Sequence, residues 1–113
     1  MTARDRGSVT AELALGLPAV TLLLAAILTL GSAAIGQLRC ADAARAGARA
    51  AALGETSAEI TSIAGRLAGE GAVVGVDRAG AWVTVTVSRA VVAGRLAGGS
   101  LRARASAVAR VEP

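Results

Sequence analysis

One uncharged stretch limits the folds that are open to this chain. No Asp, Glu, Lys or Arg occurs from Leu13 to Leu38, a run of 26 residues that is rich in leucine and alanine. A run of this length is enough to cross the roughly 30 Å hydrocarbon layer of a membrane as one α-helix. A secretory signal has a shorter apolar region, of roughly 7–15 residues. The run therefore predicts an anchor in the lipid bilayer.

The remaining composition excludes several classes of function. The 113-residue chain has no histidine and one cysteine, Cys40, which removes histidine acid–base chemistry, His/Cys metal sites and an internal disulfide. We predict that the protein is not an enzyme and has no catalytic residues, no metal site and no cofactor. Its twelve basic residues are scattered and Trp82 is its only aromatic residue. Proteins that bind nucleic acid cluster cations and stack bases on aromatic rings, so no nucleic-acid partner is predicted.

The segment after the apolar run predicts two helices. Alanine-rich sequence continues the first helix, which we expect from about Thr10 to Leu53, ended by Gly54. Thr56 and Glu59 have the spacing of a capping box for a second, amphipathic helix over residues 57–69. The expected apolar face of the first helix comprises Leu38, Ala41, Ala44, Ala48 and Ala52, opposite Asp42, Arg45 and Arg49. The expected apolar stripe of the second helix comprises Ile60, Ile63, Ala64 and Leu67.

Alternating apolar and polar residues predict strands in the last third of the chain. Strands are expected over residues 72–76, 82–92 and 101–110, with a turn over residues 77–80 and a glycine-rich break from Gly94 to Gly99. The predicted fold class is α+β: a long N-terminal transmembrane helix, a short second helix and a small antiparallel sheet of about three strands. Arg102, Arg104 and Arg110 would share one exposed face. One interpretation is that this face contacts an acidic partner subunit or lipid headgroups. We favour the other, in which the charges keep an edge strand from pairing with a second copy.

A short motif precedes the apolar run. Basic residues are followed by Gly7 and Ser8, three neutral residues, the single carboxylate Glu12, and Pro18 within the run. A carboxylate is costly in hydrocarbon, so its position at the head of a spanning helix favours a functional role. Pro18 lacks a backbone N–H and predicts a mild kink near residues 14–18. Glu12 has a simpler interpretation as the solvated flank of a membrane helix.

This motif resembles the type III signal of type IV pilins and pseudopilins, and with Pro18 it is most similar to the TadE-like pseudopilins of tight-adherence (Tad/Flp) systems. The resemblance implies that a prepilin peptidase cuts between Gly7 and Ser8 on the cytoplasmic side. Residues 1–7 would be a leader, 8–53 a membrane and assembly helix, and 54–113 a small extracytoplasmic α+β domain. The chain would be a minor pilin of the cytoplasmic (inner) membrane, with other minor and major pilins and the pilus assembly platform as partners.

A physical reason for pairing Ser8 with Glu12 stands beside the resemblance. A new amino terminus at Ser8 would be positively charged, since such amines have a pKa near 8. A cation among packed apolar helices needs an anion, so Glu12 of the same or a neighbouring subunit would neutralise it and set the axial register.

Two alternatives stay open on the sequence alone. In the first, the chain is an uncleaved single-pass membrane protein whose small extracytoplasmic domain binds a partner. In the second, signal peptidase cuts near Ala34, where small residues occur, and releases a soluble domain.

Overall fold

The computed structural model describes residues 3–91 and 101–112. Two helices are followed by three strands: α1 (Ala3–Ala52), α2 (Ser57–Ala68), β1 (Val73–Ala79), β2 (Trp82–Ala90) and β3 (Arg102–Arg110). The strands form one antiparallel sheet in the order β1-β2-β3. This architecture confirms the predicted α+β class. The chain divides into two compact units, residues 1–31 and 32–113, and each is described by itself.

Helix α1 begins seven residues earlier than predicted, at Ala3 rather than Thr10. Asp5 lies in its first turn, where a negative charge is favourable near the helix N-terminus. The Thr10 hydroxyl donates to the Arg6 carbonyl at 2.9 Å, so this residue is satisfied inside a helix rather than at its start. The helix ends at Ala52, and Gly54 adopts a positive φ of 84° that favours glycine.

Helix α2 begins as its capping pattern predicts. The Thr56 hydroxyl accepts a hydrogen bond from the Glu59 N–H at 3.2 Å, which satisfies one of the free donors of the first turn. Its buried stripe consists of Ile60, Ala64 and Ala68. The expected place of Leu67 in that stripe is wrong, because its side chain is 52% exposed. Ala64 and Ala68 have small side chains and lie on the buried face of α2, which packs against the sheet.

The hairpin between β1 and β2 is tighter than the sequence indicates. Strand β1 extends to Ala79, which pairs with Trp82, so the turn predicted over residues 77–80 is wrong. The chain reverses through Gly80 and Ala81, with a positive φ of 63° at Gly80. Pairing with β2 extends β1 through Asp77 and Arg78 despite their polarity. The predicted end of β2 at Val92 and the break at Gly94–Gly99 lie outside the described residues.

The core of the second unit lies between one face of the sheet and two helices. Val83, Val85 and Val87 of the central strand are buried, as their alternation with Thr84, Thr86 and Ser88 predicts. The expected apolar face of α1 is correct for Ala44 and Ala48 but wrong for Leu38, which is 64% exposed. The buried residues of α1 are Cys40, Ala43, Ala44, Gly47, Ala48, Ala50 and Ala51. Small side chains are selected here because the helix lies close to the sheet.

Two arginines of the sheet hold the ends of α2. The Arg78 guanidinium donates to the Ser57 hydroxyl and to the Glu55 carbonyl, each at 3.2 Å, beside the start of α2. The Arg89 guanidinium donates to the Ala68 carbonyl at 3.2 Å, at the last residue of α2. A cation at this end also interacts favourably with the helix dipole. The two contacts fix the position of α2 along the sheet.

Replacing Arg89 by Met removes the cation at the end of α2 and keeps a long apolar stem. We expect a loss of about 1.5 kcal/mol in the free energy of unfolding, since the Ala68 carbonyl loses a charge-assisted hydrogen bond in a partly buried place. Denaturant unfolding of the full chain in detergent micelles measures it. Arg110→Met, at an exposed position on β3, is the control and should change stability by less than about 0.5 kcal/mol. Equal effects of the two variants would contradict the role of Arg89.

Candidate functional site

After Glu12, the helix of the first unit exposes apolar side chains on all sides. Its large side chains are exposed, with Leu15 at 77%, Leu22 at 72% and Leu28 at 72%. The most apolar stretch of this helix has no residue buried inside the chain. A helix that is apolar all round requires lipid or other helices around it. By length and composition α1 is able to cross a membrane.

A shallow groove marks one face of this helix. It has a volume of about 360 Å³ and is lined by Val9, Glu12, Leu13, Gly16, Leu17 and Val20. These positions follow the three- and four-residue spacing that places side chains on one side of a helix. A Cβ atom on Gly16 would meet nothing within 4 Å. The missing side chain leaves room in the groove for a protruding group of a neighbouring helix.

Glu12 is the charged group at this groove. Its side chain is exposed. Within residues 3–91 and 101–112, no ion pair or hydrogen bond of the Glu12 side chain is found. A carboxylate next to leucine and valine side chains is stabilised by a cation that enters the same apolar surroundings. The groove therefore presents an acidic acceptor beside an apolar surface.

Gly7 and Ser8 lie on the same helix, about one turn before Glu12. Both are exposed, and a Cβ atom on Gly7 would meet nothing within 4 Å. Residues four apart occupy the same face of a helix, so the backbone nitrogen of Ser8 and the carboxylate of Glu12 belong to one side. The peptide bond between Gly7 and Ser8 is held in helical conformation on an exposed part of α1.

Pro18 lies inside α1. It cannot donate a backbone hydrogen bond to the preceding turn. The Thr21 hydroxyl donates to the Leu17 carbonyl at 2.9 Å, a local bond of a type that often bends helices. The kink near residues 14–18 stays a prediction.

Sequence reasoning missed two residues that position the second unit. Gly47 lies against the core so closely that an added Cβ atom would stand 2.8 Å from Val85 Cγ1. Gln37 bonds the backbone of β3 at both groups of Arg104: its Nε2 donates to the carbonyl at 2.7 Å and its Oε1 accepts from the N–H at 3.2 Å. The signal for Gln37 was present, because it is the chain's one glutamine and ends an otherwise apolar run.

The remaining residues that the sequence singled out lie in the second unit. Cys40 is fully buried, and its Sγ lies 3.8 Å from the Ala103 carbonyl, as expected of a small residue on a packed helix. Arg102, Arg104 and Arg110 do share one exposed face of β3. In the described parts of the chain, no three His, Cys, Asp or Glu side chains are placed to hold a metal ion.

These features define a class of protein: a small α+β domain whose first helix continues into an exposed apolar segment of the kind that anchors proteins in membranes. A family model described as TadE-like protein matches residues 7–49. The resemblance of the N-terminal segment to the TadE-like family is thereby confirmed over these residues. The match begins at Gly7, includes Glu12 and Pro18, and ends before α2 and the sheet.

Comparisons with curated proteins and with solved structures gave no significant match.

Proposed function

We propose that the chain is a non-enzymatic minor pilin, or pseudopilin, that is processed by a prepilin peptidase between Gly7 and Ser8 and takes part in assembly of a Tad/Flp-type pilus or secretion pseudopilus. The observation that carries the proposal is the carboxylate of Glu12. It lacks a cation within the described residues and lies at an apolar groove, one turn after Ser8, inside the segment that matches the TadE-like family.

In this proposal the helix after cleavage is both anchor and assembly element. Residues 1–7 are the leader, residues 8–53 the membrane and assembly helix, and residues 54–113 the small extracytoplasmic domain. The N-terminus is cytoplasmic and the helix crosses the inner membrane once. The exposed leucines of the first unit then contact lipid before assembly and neighbouring pilin helices afterwards.

The role of Glu12 follows from charge. Cleavage would create an ammonium group at Ser8, since an amino terminus has a pKa near 8 and is protonated at neutral pH. Each subunit would then carry one cation and one anion on the same face of its helix. The amine of one helix and the carboxylate of a neighbour neutralise each other at one axial offset, and every other offset leaves both charges unpaired in apolar surroundings. The pair therefore sets the register of assembly.

Gly7 has a physical role at the proposed cleavage site. Glycine inside a helix costs roughly 1 kcal/mol relative to alanine because of its backbone freedom. It lies in the second turn of α1, where helix ends open most readily. Local opening around Gly7 makes the peptide bond accessible to a peptidase, and the absence of a side chain leaves space for the enzyme at the bond that is cut.

Replacing Gly7 by Leu tests the processing step. We expect the processed fraction to fall by about tenfold or more, because a large side chain fills the space beside the scissile bond and strengthens the helix. Intact mass and N-terminal sequencing of the protein from membranes of a host that supplies its prepilin peptidase measure it. The wild-type chain should begin at Ser8.

The matched control is Gly31→Leu. Gly31 also lies in α1 with nothing within 4 Å of an added Cβ atom, but it is remote from the proposed cleavage site in sequence. This variant should be processed like the wild type. Normal processing of Gly7→Leu, or a wild-type terminus at Met1 or Thr2, would remove the support for the peptidase step and favour an uncleaved single-pass membrane protein.

A released domain is the second candidate, and one observation favours it. The second compact unit begins at Ser32, so cleavage near Ala34 would keep the helical residues that pack on the sheet, among them Cys40 and Gly47. The same sequencing experiment separates the two functions. A terminus near Ala34 or Ile35 in the soluble fraction would establish release and exclude a role of Glu12 in the mature protein.

A further inference from the structure

Strand β3 is an edge of the sheet, with one side paired to β2 and the other side directed away from it. The hydrogen bonds at its two ends show which residues face β2. The Val91 N–H donates to the Leu101 carbonyl at 3.0 Å, and the Val111 N–H donates to the Ala81 carbonyl at 2.8 Å. Odd-numbered residues of β3 therefore bond to β2. Backbone groups alternate along an antiparallel strand, so the even-numbered residues from 102 to 110 direct their N–H and C=O groups to the outer edge.

Gln37 covers this edge at one residue. Its carboxamide both accepts from the Arg104 N–H and donates to the Arg104 carbonyl. A carboxamide offers the same donor and acceptor as a peptide group, so Gln37 takes the place that a neighbouring strand would take. Beyond it, no described residue bonds to the outward backbone groups of Ser106, Val108 and Arg110. Three donors and three acceptors stay open to another strand.

The charged side chains of β3 determine which kind of strand can pair with its outer edge. Arg102, Arg104 and Arg110 are exposed on the sheet face that the helices do not cover, and within the described chain none of them forms an ion pair. Val108, 59% exposed on the same face, offers an apolar contact. A second copy of β3 would bring its own arginines to this face, and like charges across a ladder are destabilising. A strand with carboxylates on this face would be attracted.

We propose that the outer edge of β3 from Ser106 to Arg110 is a docking site for an acidic extended segment of a partner protein. The segment adds a fourth strand to the sheet. Its backbone bonds to Ser106, Val108 and Arg110, and its acidic side chains lie beside Arg110 and next to Arg104, at the end of the edge that Gln37 covers. This inference goes beyond the proposed function, since it requires neither cleavage at Gly7 nor the charge of Glu12.

The test uses the full-length ¹⁵N-labelled protein in neutral detergent micelles and two synthetic eight-residue peptides with blocked ends. One peptide alternates Glu with Val, and the other alternates Lys with Val. Amide hydrogen exchange is followed at Ser106, Val108 and Arg110. The acidic peptide should slow exchange of these three amides by about tenfold, and the basic peptide should not, because the ladder protects the amides only when charge permits pairing.

Val108→Pro removes one outward donor and leaves the bonds between β3 and β2 in place, since the N–H of residue 108 faces away from β2. We expect it to weaken binding of the acidic peptide by about fivefold or more. Val108→Thr keeps that N–H and should bind as the wild type does. Unchanged exchange at Val85 of the central strand verifies that each variant is folded. Arg104→Glu combined with Arg110→Glu should reverse the preference to the basic peptide, which tests the proposal even where the proline variant is unfolded.

Several results would overturn the proposal. No slowing by the acidic peptide, or equal slowing by both peptides, would exclude a charge-selective edge. Slowing without peptide that increases with protein concentration would assign the edge to a second copy of this chain. Slowing caused by anionic lipid alone would assign it to headgroups. None of these results depends on the terminus of the chain, so they are separate from a failure of the proposed function.

Discussion

Under the proposed function, Glu12→Gln should weaken co-assembly with other pilins by about tenfold or more and leave the protein in the membrane. The substitution keeps the shape of the side chain and removes its charge, so the amine that cleavage would create at Ser8 of a neighbouring helix would enter apolar surroundings without an anion. An uncompensated charge in a buried pair costs about 3–5 kcal/mol. Because part of this pair lies near the membrane surface, we expect a smaller effect of at least about tenfold in the amount recovered with partner pilins. Cross-linking and co-purification from the native host measure it.

Two control variants separate the effect of the Glu12 charge from the effects of side-chain shape and of charge elsewhere in the chain. Glu12→Asp keeps the carboxylate and should retain most of the assembly. Glu70→Gln removes an exposed carboxylate from the second unit and should assemble normally. Membrane insertion and the N-terminus of the Glu12→Gln protein should match the wild type, since the apolar segment and Gly7 are unchanged. Normal co-purification of Glu12→Gln would show that the carboxylate is only a solvated flank of the helix.

Gly47→Ala should destabilise the domain although alanine is the better helix former. In a free helix the change would stabilise by about 0.5–1 kcal/mol. Here the new Cβ atom would stand 2.8 Å from Val85 Cγ1, 3.4 Å from Ile60 Cγ2 and 3.5 Å from Ala64 Cβ. Val85, Ile60 and Ala64 are fully buried, so none moves without disturbing the core. We expect a net loss of about 1–2 kcal/mol for alanine and about 3 kcal/mol or more for leucine.

Cys40 supplies the readout for this prediction. It is the chain's one cysteine and is fully buried, so a thiol reagent reacts with it when α1 opens from the sheet. The labelling rate of the full chain in detergent micelles should rise by about fivefold to thirtyfold in Gly47→Ala, as expected for a loss of 1–2 kcal/mol. Denaturant unfolding gives an independent value.

Gly65→Ala is the matched control. Gly65 lies inside α2, and an added Cβ atom would meet nothing within 4 Å. The same substitution should there stabilise the protein by about 0.5–1 kcal/mol and slow Cys40 labelling. A stabilising effect of Gly47→Ala as well would mean that α1 does not approach the sheet as closely as the structure shows.

Local patterns predicted most of the elements because each has its own physical signal. The capping hydroxyl of Thr56, the alternation of Val83, Val85 and Val87, and the uncharged run to Leu38 act over a few neighbouring residues. Errors arose at boundaries. Helix α1 continues through Gly7 to Ala3, although the sequence predicted its start near Thr10. Strand β1 continues through Asp77 and Arg78 because both residues pair with β2.

The roles of the candidate site residues stay predictions. The sequence singled out Gly7, Ser8, Glu12 and Pro18, and the structure adds that Glu12 lines a groove with Gly16 as its open position. It also shows that the Gly7–Ser8 bond lies within a helix. Neither feature follows from spacing alone, since a groove depends on the volume of the side chains around it.

The sequence by itself determined the apolar helix with Glu12 at the head of its uncharged run, the resemblance to the TadE-like family and the α+β order of elements, because charge, hydropathy and periodicity are properties of neighbouring residues. Only the tertiary structure decided which face of α1 is buried, why Gly47 is glycine, where Gln37 bonds and which backbone groups of β3 remain open. Those features depend on contacts between residues that are far apart in the chain. Steric fit at distances near 3 Å decides such contacts, and the hydropathy pattern along the chain does not predict that fit.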